Sequence, residues 1–326
     1  MDPLEPYLSG EKLYRDDFGP AQIAQWVAEE RDGYADLGAR DHESYRYAYH
    51  ALNRLHGYRH LRARPFEHVL RFGSAYGDEF LPIIQRVKSV TIVDPSDAFV
   101  RAEVHGTPAK YGKPRPDRRL PFPAATFDLG TCLGVLHHLP KVASVLRELA
   151  RMLRPGGYLL LREPIVFMGD RRKPRGGLTK RERGIPLSLP VSMLGGSGRD
   201  IISKHRCAFA LTERVFRRWR ADFYNSSVAA RIDSVLSTLF AWSVNHHPRN
   251  PLRPLRPAAV FFVLRKRAPE PAAAEGVAEL AERGSGAGSA TAGDAGLPLG
   301  RFGVVCVQAD RSESRPLLLT CAHALG

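Results

Sequence analysis

The chain has 326 residues, 44% hydrophobic and 25% charged, with 48 Lys and Arg against 34 Asp and Glu and a formal net charge of +14. That is room for a main domain with additional segments, and the composition is that of a folded globular chain. No apolar run approaches the ~20 residues of a membrane span, the start "MDPLEPYLSGEKLYRDDF" lacks a basic-then-apolar leader, and Cys132, Cys207, Cys306 and Cys321 form no CxxC pair, so we expect a cytoplasmic chain with no membrane segment and no metal.

Residues 16–62 read as helical, forming an N-terminal helical cap over 1–62. "PAQIAQWVAEERDGYADL" and "ESYRYAYHALNRLHGYRHL" both place apolar side chains near helical spacing. From 66 the pattern changes to short apolar strands alternating with helices: "HVLRF" a strand, "GDEFLPIIQRV" a helix, "VTIVD" a strand and "PSDAFVRAEV" a helix. "FDLGTCLGVL" is a strand running into a loop, "VASVLRELARML" an amphipathic helix and "GGYLLLREP" a strand. After "DIISKHRCAFAL" come helical stretches at 212–244 and a terminal strand, "PAAVFFVLRKR". Such alternation predicts an α/β domain over 63–267: a doubly wound, mostly parallel sheet with helices on both faces. Residues 268–297, rich in Ala, Gly, Ser, Pro and Glu, have the composition of a flexible linker, and 298–326 turns apolar and strand-like again.

The positive charge concentrates in "RRKPRGGLTKRER", "RPDRR" and "LRPLRP". Nucleic-acid grooves interleave such cations with stacking aromatics, and 171–183 contains none. A solvated basic surface is the simpler reading, and nucleic acid is not the expected partner. An acidic small substrate is compatible with it.

Ligands of an open parallel sheet bind beyond the carboxyl ends of its strands, where strand order reverses. The turn after the first strand is Gly73-Ser74-Ala75-Tyr76-Gly77, a G-x-G-x-G loop with alanine for the middle glycine, and it does not fit the dinucleotide spacing. Asp94 ends the second strand, where an acid grips ribose hydroxyls or caps a following helix. Asp78 and Glu79, in the first turn of the next helix, would repel a pyrophosphate and tolerate a cationic ligand. That points from NAD toward S-adenosylmethionine.

"LPFPAATFDLGTCLGVLHHLPKVASVLRELARMLRPGGYLLLREP" (120–164), with "VLRFGSAYGDEF" and "TIVDPSD" before it and "GLTKRERGIPL" (177–187) after it, resembles class I S-adenosylmethionine-dependent methyltransferases of the type 11 small-molecule group. The resemblance implies a Rossmann-like, seven-stranded fold and S-adenosylmethionine as cofactor. It places Gly73, Ser74, Ala75 and Gly77 around the methionine part, Asp94 on the ribose, Pro95 and Ser96 beside the adenosine, and Asp117 near the adenine. Gly134, Val135 and His137 would close over the sulfonium side. The departure is Arg71, where the family carries an acid that positions the ammonium; Asp78 or Glu79 are candidate substitutes.

Methyl transfer is driven by proximity and orientation, and an oxygen or nitrogen acceptor often also needs a base. The catalytic candidates are His138 and Glu163, at the ends of the fourth and fifth strands of the family pattern. The tail "GRFGVVCVQADRSESRPLLLTCAHALG" resembles the opening hairpin of a trypsin-like serine peptidase, truncated inside that domain, with His323 in the T-x-A-H stretch. No partner Asp or Ser follows, so no triad forms on this chain. The leading expectation is methyl transfer to a small-molecule acceptor such as a sugar or secondary metabolite. A non-catalytic methyltransferase-like module fused to a protease, motivated by Arg71 and Ala75, and an RNA methyltransferase, motivated by charge, are the alternatives. Sequence does not fix the oligomeric state.

Overall fold

A computed structural model of the chain describes residues 18–38, 46–114 except 74, 75, 96 and 98, then 120–168, 178–195 except 180, 198–218, 222–244 and 255–268. The expected linker at 268–297, apart from its first residue, and the peptidase-like segment with His323 lie outside the described residues.

The strands are β1 (Val69–Phe72), β2 (Val90–Val93), β3 (Glu103–Val104), β4 (Thr107–Gly112), β5 (Phe127–Leu133), β6 (Leu153–Pro164), β7 (Arg199–Phe209) and β8 (Pro257–Lys266). They form one eight-stranded sheet in the order β3-β4-β2-β1-β5-β6-β8-β7. Pairing is parallel from β4 through β6 and antiparallel at β3–β4, β6–β8 and β8–β7. The sheet therefore has the expected seven main strands plus one short edge strand.

The central strands are buried along their whole length, as strands covered on both faces must be. One face packs Leu70, Phe72, Leu159, Leu161 and Phe262 against helix α3 (Val142–Met152) through Val145, Leu146, Leu149 and Met152. The other packs Val69, Ile92, Leu129, Leu160 and Phe261 against Phe80, Ile83 and Ile84. The alternation along β1 and β6 is the two-residue period of a strand dividing its side chains between two layers.

Three local expectations are corrected. "GDEFLPIIQRV" forms a 3-10 helix, Asp78–Arg86, with Pro82 inside it; proline has no N–H to give, which disfavours a continued α ladder. The described residues of "PSDAFVRAEV" are not helical; His105 (φ 49°) and Gly106 (φ 77°) form a tight hairpin turn that draws Glu103–Val104 into β3 against β4. The cap region holds helix α1 (Pro20–Gly38) and a short α2 (His50–His56) with a 3-10 turn at Tyr58–His60, rather than a long second helix. Asn225 sets the start of α2: its Oδ1 accepts from His50 N at 2.8 Å and its Nδ2 donates to Tyr47 O at 2.8 Å. "DIISKHRCAFAL" supplies β7 and leads into α5 (Ala210–Arg218); α4 is Ser188–Gly195 and α6 is Ser227–Leu239.

At the end of α2, His56 is fully buried, and among the described residues neither ring nitrogen has a hydrogen-bond partner. Its ring lies 5.3 Å from His205 and 6.2 Å from Phe261. Burial, helped by the charges of His205, Arg59 and His60, lowers its pKa to about 3. The unfolded chain binds a proton here below the ordinary histidine pKa while the folded one does not, so acid favours unfolding between about pH 6.5 and 3. Thermal melts at pH 7.5 and 4.5 should show His56→Leu narrowing the wild-type loss by roughly 2–3 kcal/mol at the lower pH. An unchanged pH dependence would remove His56 as a source of acid sensitivity.

Candidate active site

From β1 the chain winds outward through β2 to β4 and then returns to β5 on the other side, so strand order reverses between β1 and β5. The crevice beyond their carboxyl ends is the fold's ligand position. Three glycines shape it in the left-handed region: Gly73 (φ 66°) after β1, Gly77 (φ 77°) before the 3-10 helix, and Gly134 (φ 75°) after β5. A Cβ on Gly73 would lie 2.4 Å from Val135 Cγ1, which shows how closely the β1 and β5 loops approach. Asp94 follows β2, its backbone N donating to Gly112 O at 3.2 Å. Thus Gly73, Gly77, Asp94, Pro95, Gly134, Val135 and His137 all lie at the carboxyl edge of β1, β2 and β5. Ser74, Ala75, Ser96 and Asp117 lie outside the described residues.

Arg71 is buried in β1 and makes an ion pair with Glu79, Nε to Oε1 at 2.7 Å. The Glu79 side chain also accepts from Thr131 Oγ1 of β5 at 3.1 Å, and its backbone oxygen accepts from Tyr58 Oη at 2.8 Å. Burial pushes the Glu79 carboxyl up, while Arg71 and the Thr131 hydroxyl pull it back. Arg71 is therefore paired with an acid from the next element.

Two buried polar atoms here have no hydrogen-bond partner among the described residues: Glu79 Oε2 and Tyr111 Oη. Tyr111, on β4, is pushed up to about 12 by burial, with Arg101 opposing and Asp94, Asp78 and Glu79 adding to the rise. Leaving such atoms without partners in a folded core is costly. An acceptor oxygen and a hydroxyl beside Asp94 suit a ligand with an ammonium at one end and a nucleoside at the other. Asp78 is engaged by His105, Nε2 to Oδ1 at 2.9 Å.

On the β5–β6 side the loop 135–138 wraps the Glu163 carboxylate. Oε1 accepts from the backbone N–H groups of Val135 (3.0 Å) and Leu136 (2.9 Å). Oε2 accepts from His137 N (3.2 Å) and pairs with His137 Nδ1 (2.8 Å). Glu163 thus orders the loop that faces Gly73. His137 reaches on to Glu182, Nε2 to Oε1 at 3.5 Å. Burial opposes the Glu182 carboxylate, but the His137 hydrogen bond, the charges of His138 and His137 and the Thr179 N–H prevail and hold it at about 2.

His138 pairs through Nδ1 with Glu30 Oε2 of α1 at 2.9 Å. Glu30 also accepts from Thr179 Oγ1 at 2.8 Å and from Arg181 N at 2.8 Å. Trp26 Nε1, one turn earlier on α1, donates to His138 O at 2.6 Å. Burial and the adjacent His137 ring pull His138 below the ordinary histidine range, with Glu30 pulling it back, which favours a neutral ring near neutral pH. A carboxylate on Nδ1 fixes the hydrogen there and leaves the basic lone pair on Nε2. His137, His138 and Glu182 present ligand atoms within 4.8 Å of one another. Both imidazoles and both Glu182 oxygens already have protein partners, so this is a hydrogen-bonded cluster suited to holding and moving protons.

Residues 70–161 match the family described as "Methyltransferase domain". Among curated relatives, the 27-O-demethylrifamycin SV methyltransferase of Amycolatopsis mediterranei is 52% identical over 42 residues, 13% of this chain and 15% of that one. The ubiquinone biosynthesis O-methyltransferase of Pseudomonas aeruginosa is 33% identical over 98 residues, 28% of this chain and 42% of that one. The chain spans less than half the length of either relative. Solved structures similar to it include the YcgJ protein of Bacillus subtilis, with a TM-score of 0.45 and 20% identity over 68% of this chain and 99% of that one. Another is the 1,6-didemethyltoxoflavin-N1-methyltransferase of Burkholderia thailandensis, solved with 1,6-didemethyltoxoflavin and S-adenosylhomocysteine, with a TM-score of 0.45 and 16% identity over 77% and 92% of the two chains.

Proposed function

We propose that this chain, whose residues 70–161 match a methyltransferase domain family, transfers a methyl group from S-adenosylmethionine to a small-molecule acceptor. The observation that carries the reading is the reversal of strand order between β1 and β5, where Glu79, held by Arg71 of β1 and Thr131 of β5, keeps a buried Oε2 with no hydrogen-bond partner among the described residues. S-adenosylmethionine, when bound, supplies a methyl group on a cationic sulfonium. Gly73, Ser74, Ala75 and Gly77 would run along its methionine part, with Glu79 Oε2 accepting from the ammonium. Asp94 would take the ribose hydroxyls, Pro95, Ser96 and Tyr111 the nucleoside, and Asp117 the adenine edge. Gly134, Val135 and His137 would line the sulfonium side, held there by Glu163.

Both named relatives carry an oxygen acceptor in their names, which supports an oxygen acceptor here. His138, oriented by Glu30, is the residue assigned to the acceptor's proton. Arg71 no longer weighs toward a non-catalytic module, because Glu79 neutralises it. Calorimetric titration of the whole chain with S-adenosylmethionine tests the reading. Binding is expected, and Asp94→Ala should weaken it about tenfold or more, as loss of one charged hydrogen-bond partner at ~1.5–3 kcal/mol requires. Absence of binding heat in the wild type, or an Asp94→Ala variant that binds equally well, would overturn it.

A further inference from the structure

We propose that His137, His138 and Glu182 form a binding site for one zinc ion, in which the metal and protons are alternative occupants of the same gap. The histidines lie on the 3-10 turn Leu136–His138, and Glu182 comes from the chain after β6. All three are buried, and they present one ligand atom each within 4.8 Å of one another. The two imidazoles are neighbours in sequence, yet their ring centroids are only 4.0 Å apart, so both turn to the same side. Each ring is held at Nδ1 by a carboxylate: His137 by Glu163 at 2.8 Å and His138 by Glu30 at 2.9 Å. Metal-binding histidines are oriented in this way, one nitrogen giving its hydrogen to an outer carboxylate and the other keeping its lone pair for the ion.

At His137 that tautomer has a consequence. Nε2 then carries a lone pair and faces Glu182 Oε1, a second acceptor, at 3.5 Å. Two facing acceptors need a cation between them. A proton would draw them to the roughly 2.7–3.2 Å of an N–H···O bond. Two ligands of a tetrahedral zinc, each bonded at about 2.0–2.2 Å, stand roughly 3.4 Å apart. The observed gap fits the ion better than the proton. Charge agrees: Glu30, Glu163 and Glu182 bring three buried carboxylates to two imidazoles, and even two protonated rings would match only two of them. Two imidazoles and one carboxylate suit zinc, whereas magnesium and calcium take oxygen ligands. The site stands apart from the proposed function and amends the expectation of no metal. One consequence does rest on that function: zinc on His138 Nε2 takes the lone pair assigned to the acceptor's proton and slows turnover.

The test uses the full chain, stripped with a chelator and titrated calorimetrically with zinc chloride. Saturation at one equivalent is expected. Cobalt chloride should give the strong visible absorption of a four-coordinate ion in place of the faint spectrum of the hydrated one. Glu30→Gln keeps all three ligands and should weaken zinc about 10–100-fold, as loss of a carboxylate behind a ligating histidine does. Glu182→Gln removes a charged ligand and should weaken it more, with circular dichroism to confirm folding. Should Glu182→Gln unfold, Glu30→Gln and the wild-type cobalt spectrum still decide. No zinc binding by the wild type, a cobalt spectrum that stays that of the hydrated ion, or variants that bind zinc as the wild type does would overturn the proposal. Titrating the same samples with S-adenosylmethionine keeps the two readings apart. Zinc bound without S-adenosylmethionine would sink the function alone, and the reverse would sink the metal site alone.

Discussion

His138→Gln is expected to lower turnover by about 10²–10⁴-fold while leaving the binding of S-adenosylmethionine unchanged, because general-base catalysis is worth that much and the ring is assigned to the acceptor rather than the cofactor. Burial and the His137 ring hold His138 below its ordinary pKa, so the neutral, proton-accepting form dominates above that value. Turnover should therefore rise through the His138 pKa as pH increases and then level off. Glu30 raises that pKa through its 2.9 Å contact with Nδ1. Glu30→Gln should shift the acid limb to lower pH and reduce the plateau, a change that a merely structural carboxylate would not produce. Stopped-assay pH profiles of the two variants, with circular dichroism to confirm folding, decide the matter. A His138→Gln enzyme with wild-type turnover would sink the assignment.

The parts of this site that were legible in the sequence are those encoded by adjacent residues. Gly73 and Gly77 were readable because a left-handed turn between a strand and a helix asks for glycine. The strand-ending Asp94 and the GVLHHL loop were readable because each abuts an apolar run. Arg71 was visible as a departure, and Glu79 was one of two named substitutes; only the 2.7 Å pair shows which of them reaches back to β1. Glu30 carried no local signal. It lies 108 residues from His138, on a helix whose apolar spacing says only that one side is buried. Thr179 and Glu182 stood in the segment GLTKRERGIPL, whose role depends on its proximity to the β5 loop. Glu163 was read as a catalytic candidate at a strand end, but sequence does not show that four donors of the loop 135–138 surround it. The errors in secondary structure came from Pro82 inside the first helix and from turn chemistry after the second. His105-Gly106 closes a hairpin at a point where the apolar spacing alone suggested a continuing helix.

Gly73→Ala should lower stability by about 2–5 kcal/mol and weaken S-adenosylmethionine at least tenfold. Two independent costs add. At φ 66° an alanine pays the left-handed penalty of roughly 1–2 kcal/mol. Its methyl would also sit 2.4 Å from Val135 Cγ1, and relieving that overlap costs about 1–3 kcal/mol more. Val135 can yield only by moving the loop that Glu163 holds through the Val135 and Leu136 N–H groups. A strain that begins in the β1 turn is thus passed to the side of the crevice assigned to the sulfonium. The two costs separate in a double-mutant cycle with Val135→Ala. Trimming Val135 should restore the overlap part of the loss and leave the backbone part, giving a coupling of 1 kcal/mol or more between the sites. Urea unfolding and calorimetric titration of the four proteins measure both quantities. Strict additivity would mean that the two loops do not touch, and with that the shared cleft between β1 and β5 would lose its structural basis.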